Sequence, residues 1–128
     1  MKPLSQKQVV SLGKGIGAVI FRFSVKRKKT ALTNLNIIFS ESETTNQKKK
    51  RIKDSFKYLA VSAMQSIWVT INTEDRVRQL IPKKPEGLDI LKKCLEKKKG
   101  VLFLTAHYGN WEVMGLYHGL LGVCPLSS

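Results

Sequence analysis

Apolar residues recur at intervals of three and four over most of this chain, and the rhythm breaks only at Pro, Gly or short polar runs. Over residues 6–24 the spacing predicts a helix with Leu12, Ile16, Val19, Ile20 and Phe23 on one face and Lys14 and Arg22 on another. A short helix over Thr30–Phe39 follows, with Leu32, Leu35 and Ile38 to one side. The polar run from Ser40 to Asn46 reads as a loop, and Thr44 or Thr45 stands where a helix cap is expected. From Gln47 to Ile71 the positions Ile52, Phe56, Leu59, Ala63, Ile67 and Ile71 keep helical spacing, with no Gly or Pro between them. This longest predicted helix starts on Lys48-Lys49-Lys50-Arg51, cations at the positive end of the helix dipole, where they are locally unfavourable.

After Thr73-Glu74-Asp75 the rhythm changes. Arg76–Ile81 alternates apolar and polar residues, which predicts a short strand ended by Pro82 and Pro85. Leu88–Lys99 has helical spacing, with Leu88, Leu91 and Leu95 inward, and closes on Lys97-Lys98-Lys99-Gly100, the cations and glycine that suit a helix end. Val101–Leu104 is an unbroken apolar run that continues into Thr105 and Ala106, a pattern expected of a strand buried on both faces. Gly109-Asn110 is turn chemistry, and Asn110 is a good N-cap for a last helix that begins at Trp111. The expected fold class is therefore α/β: amino-terminal helices followed by a β-α-β-α unit, a parallel pair with a crossover helix. Two strands do not bury both faces of a parallel sheet: either the long and amino-terminal helices cover it, or the domain is incomplete, which is the preferred reading.

The candidate chemistry sits at the end of that second predicted strand. His107 would lie at its carboxyl end and Glu112 in the first turn of the following helix, so the two side chains could meet over the turn. A carboxylate beside an imidazole fixes its tautomer and stabilises the imidazolium, the arrangement of a general base that deprotonates a hydroxyl. The plainer alternative is a hydrogen-bonded histidine at a strand end and a first-turn carboxylate that stabilises its helix. Backbone N–H groups near Gly109 and Asn110 could assist a developing oxyanion, while Asn110 and Trp111 shape the turn. His118, in the last helix near Met114 and Leu121, reads as structural. There is no metal-ligand spacing, phosphate loop or Ser-His-Asp signature.

Charge narrows the partners. Twenty-three Lys and Arg against nine Asp and Glu give a net charge of +14, which calls for an acidic partner: anionic lipid, nucleic acid or an acidic protein. No helix-turn-helix, zinc finger or stacking-aromatic pattern supports a nucleic-acid-binding module, which would bind with strong salt dependence. Cys94 and Cys124 have no metal-ligand companions and read as free thiols of a reducing compartment. No run of 18 apolar residues is present; residues 8–25 come nearest, interrupted by Lys14 and Arg22. Residues 1–25 then form either an amphipathic, membrane-associating helix, with Lys26-Arg27-Lys28-Lys29 at anionic headgroups, or a helix packed on the domain core.

His107-Tyr108-Gly109-Asn110-Trp111-Glu112, a His-x4-Glu block after an apolar run, resembles the bacterial late acyltransferases of lipid A synthesis, within the wider His-x4-Asp/Glu glycerolipid acyltransferase group. The upstream segment Leu32–Glu41 is similar to the family's N-L-x-x-x-F-P-E pattern, with Ser40 where that pattern has Pro. The resemblance covers residues 20–121 and only the amino-terminal part of a family member. It implies an incomplete glycerolipid-acyltransferase-like fold over residues 26–128. It implies transfer of a fatty acyl group from an acyl-carrier-protein thioester to a hydroxyl of a lipid A precursor or related glycolipid. His107 would be the base, Glu112 its orienting carboxylate, and Gly109 and Asn110 would line the substrate. No cofactor or metal is expected; the partners expected are acyl carrier protein, the lipid acceptor and an anionic membrane surface, and no nucleic acid. The location implied is the cytoplasmic face of the inner membrane. The competing expectation is an inactive, truncated acyltransferase that only associates with membrane.

Overall fold

The computed structural model describes residues 4–106 and 108–122. Among them are six helices: α1 (Gln6–Phe23), α2 (Val25–Phe39), α3 (Thr45–Val69), α4 (Thr73–Leu80), α5 (Leu88–Glu96) and α6 (Trp111–Leu120). They fall into two compact units, Met1–Trp68 and Val69–Ser128.

In the first unit α1 starts on a capping box. The Ser5 hydroxyl accepts from the Gln8 N–H at 3.4 Å, and the Ser5 N–H donates to Gln8 Oε1 at 2.8 Å. The same device begins α3, where the Thr44 hydroxyl accepts from the Gln47 N–H and the Thr44 N–H donates to Gln47 Oε1 at 2.7 Å. Of the two expected caps, Thr44 is the one used.

α1 and α3 run antiparallel. Trp68 Nε1 donates to the Leu4 carbonyl at 2.7 Å, Gly13 lies against Val61, Gly17 against Lys57, and the Phe21 and Phe56 rings meet edge to face at 5.8 Å. The buried face of α1 is Val9, Gly13 and Gly17, so the helices approach through glycine. The large residues of the predicted apolar face, Leu12, Ile16, Val19, Ile20 and Phe23, are all exposed.

α2 is longer than the spacing predicts. The basic run Lys26–Lys29 lies inside it, and it meets α1 at Ser24 with a 91° bend. At its far end Lys48, only 5% exposed, donates from Nζ to Asn36 Oδ1 at 3.0 Å and to the Ser40 carbonyl. One lysine of the misplaced cationic turn is thus a bridge that ties the end of α2 to the start of α3. Arg51, from the same turn, holds Glu43 through Nε at 2.8 Å and lies over the Phe39 ring.

The second unit overturns the expected α/β class. The described residues contain no strand, and the β-α-β-α unit is absent. Residues 73–80, predicted to include a strand, form α4. Val77, Leu80 and Ile81 keep the three-and-four spacing of a helix, whereas alternation puts only Val77 and Ile81 on one face, and local effects also favour the helix. Glu74 and Asp75 occupy its positive end, and Arg78 bonds Glu74 one turn back at 2.9 Å. Residues 101–106 are irregular. A strand needs a neighbour for its N–H and C=O groups, and the described residues supply none, so Leu102 and Leu104 stand 96% and 98% exposed. The core of this unit is Val69, Val77, Leu88, Leu91 and Val113, with α4 packed on α6.

Candidate functional site

The His-x4-Glu block straddles the entry to α6. Tyr108 N–H donates to the Ala106 carbonyl at 2.7 Å, just ahead of Gly109. Gly109 has φ of +68°, the left-handed conformation that favours glycine, and a Cβ there would meet nothing within 4 Å. Its role is therefore conformational: it reverses the chain so that Asn110 can start a helix. Asn110 does so as expected, its side-chain oxygen accepting from the Val113 N–H at 3.3 Å. Val113, 3% exposed, anchors this first turn in the unit's core.

Glu112 lies in that first turn, exposed, near the positive end of the α6 dipole. Trp111 Nε1 donates to Glu112 Oε1 at 3.2 Å. Neighbouring helical residues do not normally face one another; here the long indole reaches sideways and holds the carboxylate. Spacing assigns Trp111 a part in shaping the turn and does not reveal this bond. The only signal for it was the adjacency of an indole donor and a carboxylate. His107, the expected base, lies outside the described residues, as does Cys124. The site therefore consists of Gly109, Asn110, Trp111 and Glu112 on one capped helix entry.

His118 is the second histidine and belongs to the scaffold. Its Nδ1 donates to the Met114 carbonyl at 2.9 Å, and its ring lies 5.4 Å from that of Phe103. This contact fastens the apolar run to α6. Among the described residues no three His, Cys, Asp or Glu side chains gather as a metal site, and Cys94 is a free thiol.

What this arrangement can do follows from its groups. A helix entry offers N–H donors and a partial positive charge. A carboxylate fixed by an indole N–H has one oxygen committed and one left to receive a second donor. An imidazole N–H five residues earlier in the chain is a donor of that kind.

Comparison with known proteins supplies the remaining observations. The profile of a family described as bacterial lipid A biosynthesis acyltransferase matches residues 2–123. The chain is similar to a lipid A biosynthesis palmitoleoyltransferase of Escherichia coli (strain K12), with 28% identity over 109 residues. It is similar to the same extent to a lipid A biosynthesis acyltransferase of Shigella flexneri. The aligned part is 85% of this chain and 35% of each relative, so the chain spans about a third of the length of the curated relatives it matches. No solved structure matches it.

Proposed function

This chain belongs to the bacterial lipid A biosynthesis acyltransferase family, and from that premise we propose that it contributes the catalytic His-x4-Glu block of an O-acyltransferase. The reaction is transfer of a fatty acyl group from an acyl-carrier-protein thioester to a hydroxyl of a lipid A precursor or a closely related glycolipid. The observation that carries it is the Glu112 carboxylate, held by Trp111 in the first turn of a capped helix within a family-matched segment.

In this reading His107 takes the proton of the acceptor hydroxyl as its oxygen attacks the thioester carbonyl. The C–O bond forms, the C–S bond breaks, and the departing thiolate receives the proton from the His107 imidazolium. Glu112 accepts from the other imidazole nitrogen and stabilises its cationic form, the role of the carboxylate in a hydrolase triad. The acceptor is itself the nucleophile, so no acyl-enzyme is required. The backbone N–H groups at Gly109 and Asn110 are suited to the developing oxyanion. No metal or organic cofactor takes part.

The cationic surplus suits both substrates, since the carrier protein is acidic and the acceptor phosphorylated. We place the reaction at the cytoplasmic face of the inner membrane, with residues 1–25 and Lys26–Lys29 against anionic lipid. The exposed apolar residues of α1 support contact with a lipid surface.

The test is a mass spectrum of lipid A from cells that lack one late acyltransferase and express this chain or its His107→Ala variant. Restoration of the missing acyl chain by the first and not the second is expected. Equal restoration by both excludes His107 as the base.

A further inference from the structure

α1 has three distinct faces. Val9, Gly13 and Gly17 are buried, with the two glycines against α3. Lys7, Lys14 and Arg22 are exposed along a second, polar line. Between these lies a ridge of Leu12, Ile16, Val19, Ile20 and Phe23, every one of them exposed. The ridge flanks an open groove of about 670 Å³ formed by α1 residues alone, among them Leu12, Gly15, Ile16 and Val19. At its end the chain turns 91°, leaving Phe23 and Val25 at the corner, 78% and 71% exposed. Lys26, Arg27 and Lys29 follow at once, all exposed.

An apolar ridge beside cations suits an anionic lipid surface. The distribution of charge agrees: residues 1–68 hold fourteen Lys and Arg against three Asp and Glu, most of the chain's net positive charge. A ridge for a second copy of so basic a unit would bring like charges together.

The manner of docking is also constrained. α1 has 18 residues, about 27 Å of helix, and among the described residues no single helix is long and apolar enough to cross a bilayer; α1 and α2 reach that length and composition only as a pair, bent by 91°. Lys14 stands near its middle, so a crossing would put that cation at mid-membrane. The glycine face is already occupied by α3 down to backbone contact, so α1 is not a detached anchor. We propose that α1 lies in the plane of one anionic leaflet, with its ridge and the Phe23–Val25 corner inserted and Lys14, Arg22 and Lys26–Lys29 among the headgroups. Both ends of α1 then stay on the same side. The inference rests on the reading that this chain works at a membrane, and it specifies how that surface is held.

The test is flotation of the full chain with vesicles of equimolar phosphatidylglycerol and phosphatidylethanolamine, against phosphatidylcholine alone. Flotation with the first and little with the second is expected. Val19→Glu and Phe23→Glu, both at exposed positions, should each weaken it about tenfold or more, with circular dichroism and thermal unfolding unchanged. Topology is read from Lys7→Cys and Arg27→Cys in a background of Cys94→Ser and Cys124→Ser, with an impermeant maleimide added outside the vesicles. Labelling of both positions supports the in-plane helix, and labelling of only one overturns it. Absence of flotation, with a dimer that Phe23→Glu dissociates, also overturns it in favour of a second copy. Transfer to a detergent-dispersed acceptor separates the two readings: flotation lost with transfer kept removes the docking alone, and transfer lost with flotation kept removes the reaction alone.

Discussion

A Cβ added to Gly17 would stand 2.5 Å from the Cα of Lys57, closer than two such carbons can approach. The α1–α3 pair is therefore set by the absence of a side chain, and Gly13 repeats the relationship one turn earlier, 2.7 Å from the Cα of Val61. Gly15, between them, faces open space. Gly17→Ala must push the helices apart, at a cost on the order of 1–3 kcal/mol. Gly15→Ala removes a poor helix former without a clash and should stabilise by about 1 kcal/mol. Urea denaturation of the two variants gives shifts of opposite sign; a loss from both would mean that α1 does not pack on α3 through this face.

Those glycines also mark a limit of what the sequence reveals. Hydrophobic spacing located α1 and put Leu12, Ile16 and Val19 on one face, but it left open whether that face meets lipid or the core, and they are exposed. Glycine contributes nothing to that signal, and only the neighbouring helix identifies it as the contact. Capping was legible at Thr44 and Asn110 because it is local chemistry. The strands were misread for two different reasons. Arg76–Ile81 is short enough for Val77 and Ile81 to suit either period, while Leu80 and the acidic first turn favour the helix. Residues 101–106 have strand composition, yet pairing is a non-local property. Within the site, spacing placed Gly109, Asn110 and Glu112 at the helix entry, but the Trp111–Glu112 bond depends on a side-chain direction that no spacing encodes.

Lys48 is almost wholly buried and serves two acceptors, Asn36 Oδ1 and the Ser40 carbonyl. Lys48→Met keeps the length of the side chain and removes the donors, leaving both acceptors without their ammonium. The expected loss is about 1–3 kcal/mol. Asn36→Ala should cost less, since the Ser40 carbonyl keeps its donor. A double-mutant cycle by chemical denaturation measures the coupling; strict additivity would show that the Lys48–Asn36 bond contributes nothing.

Ser40 carries a φ of +37°, strained for any residue with a Cβ, and its N–H donates to the Asn36 carbonyl at 2.9 Å. Ser40→Gly should relieve about 1 kcal/mol of strain. Ser40→Pro, the residue that the family pattern carries here, is expected to destabilise, because proline fixes φ near the opposite sign and deletes the donor. Melting temperatures of the two variants on either side of the parent would bear this out. A proline variant as stable as the parent would mean that the loop has another conformation of similar energy.

The Arg51 guanidinium bonded to Glu43 holds that carboxyl below its ordinary value of 4.5. A carboxyl whose value is lowered by folding adds stability above its unfolded value, and that stability is lost as pH falls through the lowered folded one. The parent should therefore exceed Glu43→Gln in melting temperature at neutral pH, and the gap should close only as pH drops below the ordinary carboxylate range. Added salt should narrow the gap at neutral pH, since the Arg51 side of the pair is accessible to solvent. A gap independent of pH would assign the effect to packing against Phe39 rather than to the ion pair.

The indole of Trp111 decides how Glu112 is presented, which makes the two separable in kinetics. If Glu112 orients and charges the base, Glu112→Gln removes the negative charge but keeps the size. It should lower the transfer rate on the order of 10²-fold or more, chiefly in kcat, and shift the pH at which the base titrates downward, because the imidazolium loses its anionic neighbour. Trp111→Phe keeps an aromatic ring and deletes one hydrogen bond, so the carboxylate stays charged but less fixed. A loss of about tenfold is expected, with the pH profile little moved. Helix α6 should persist in both, because its cap is Asn110 and its anchor Val113. Measured pH profiles of acyl transfer from the carrier-protein thioester distinguish the cases. An unshifted profile in Glu112→Gln, with equal losses in the two variants, would assign both residues to holding the turn and leave the base without a carboxylate partner at this position.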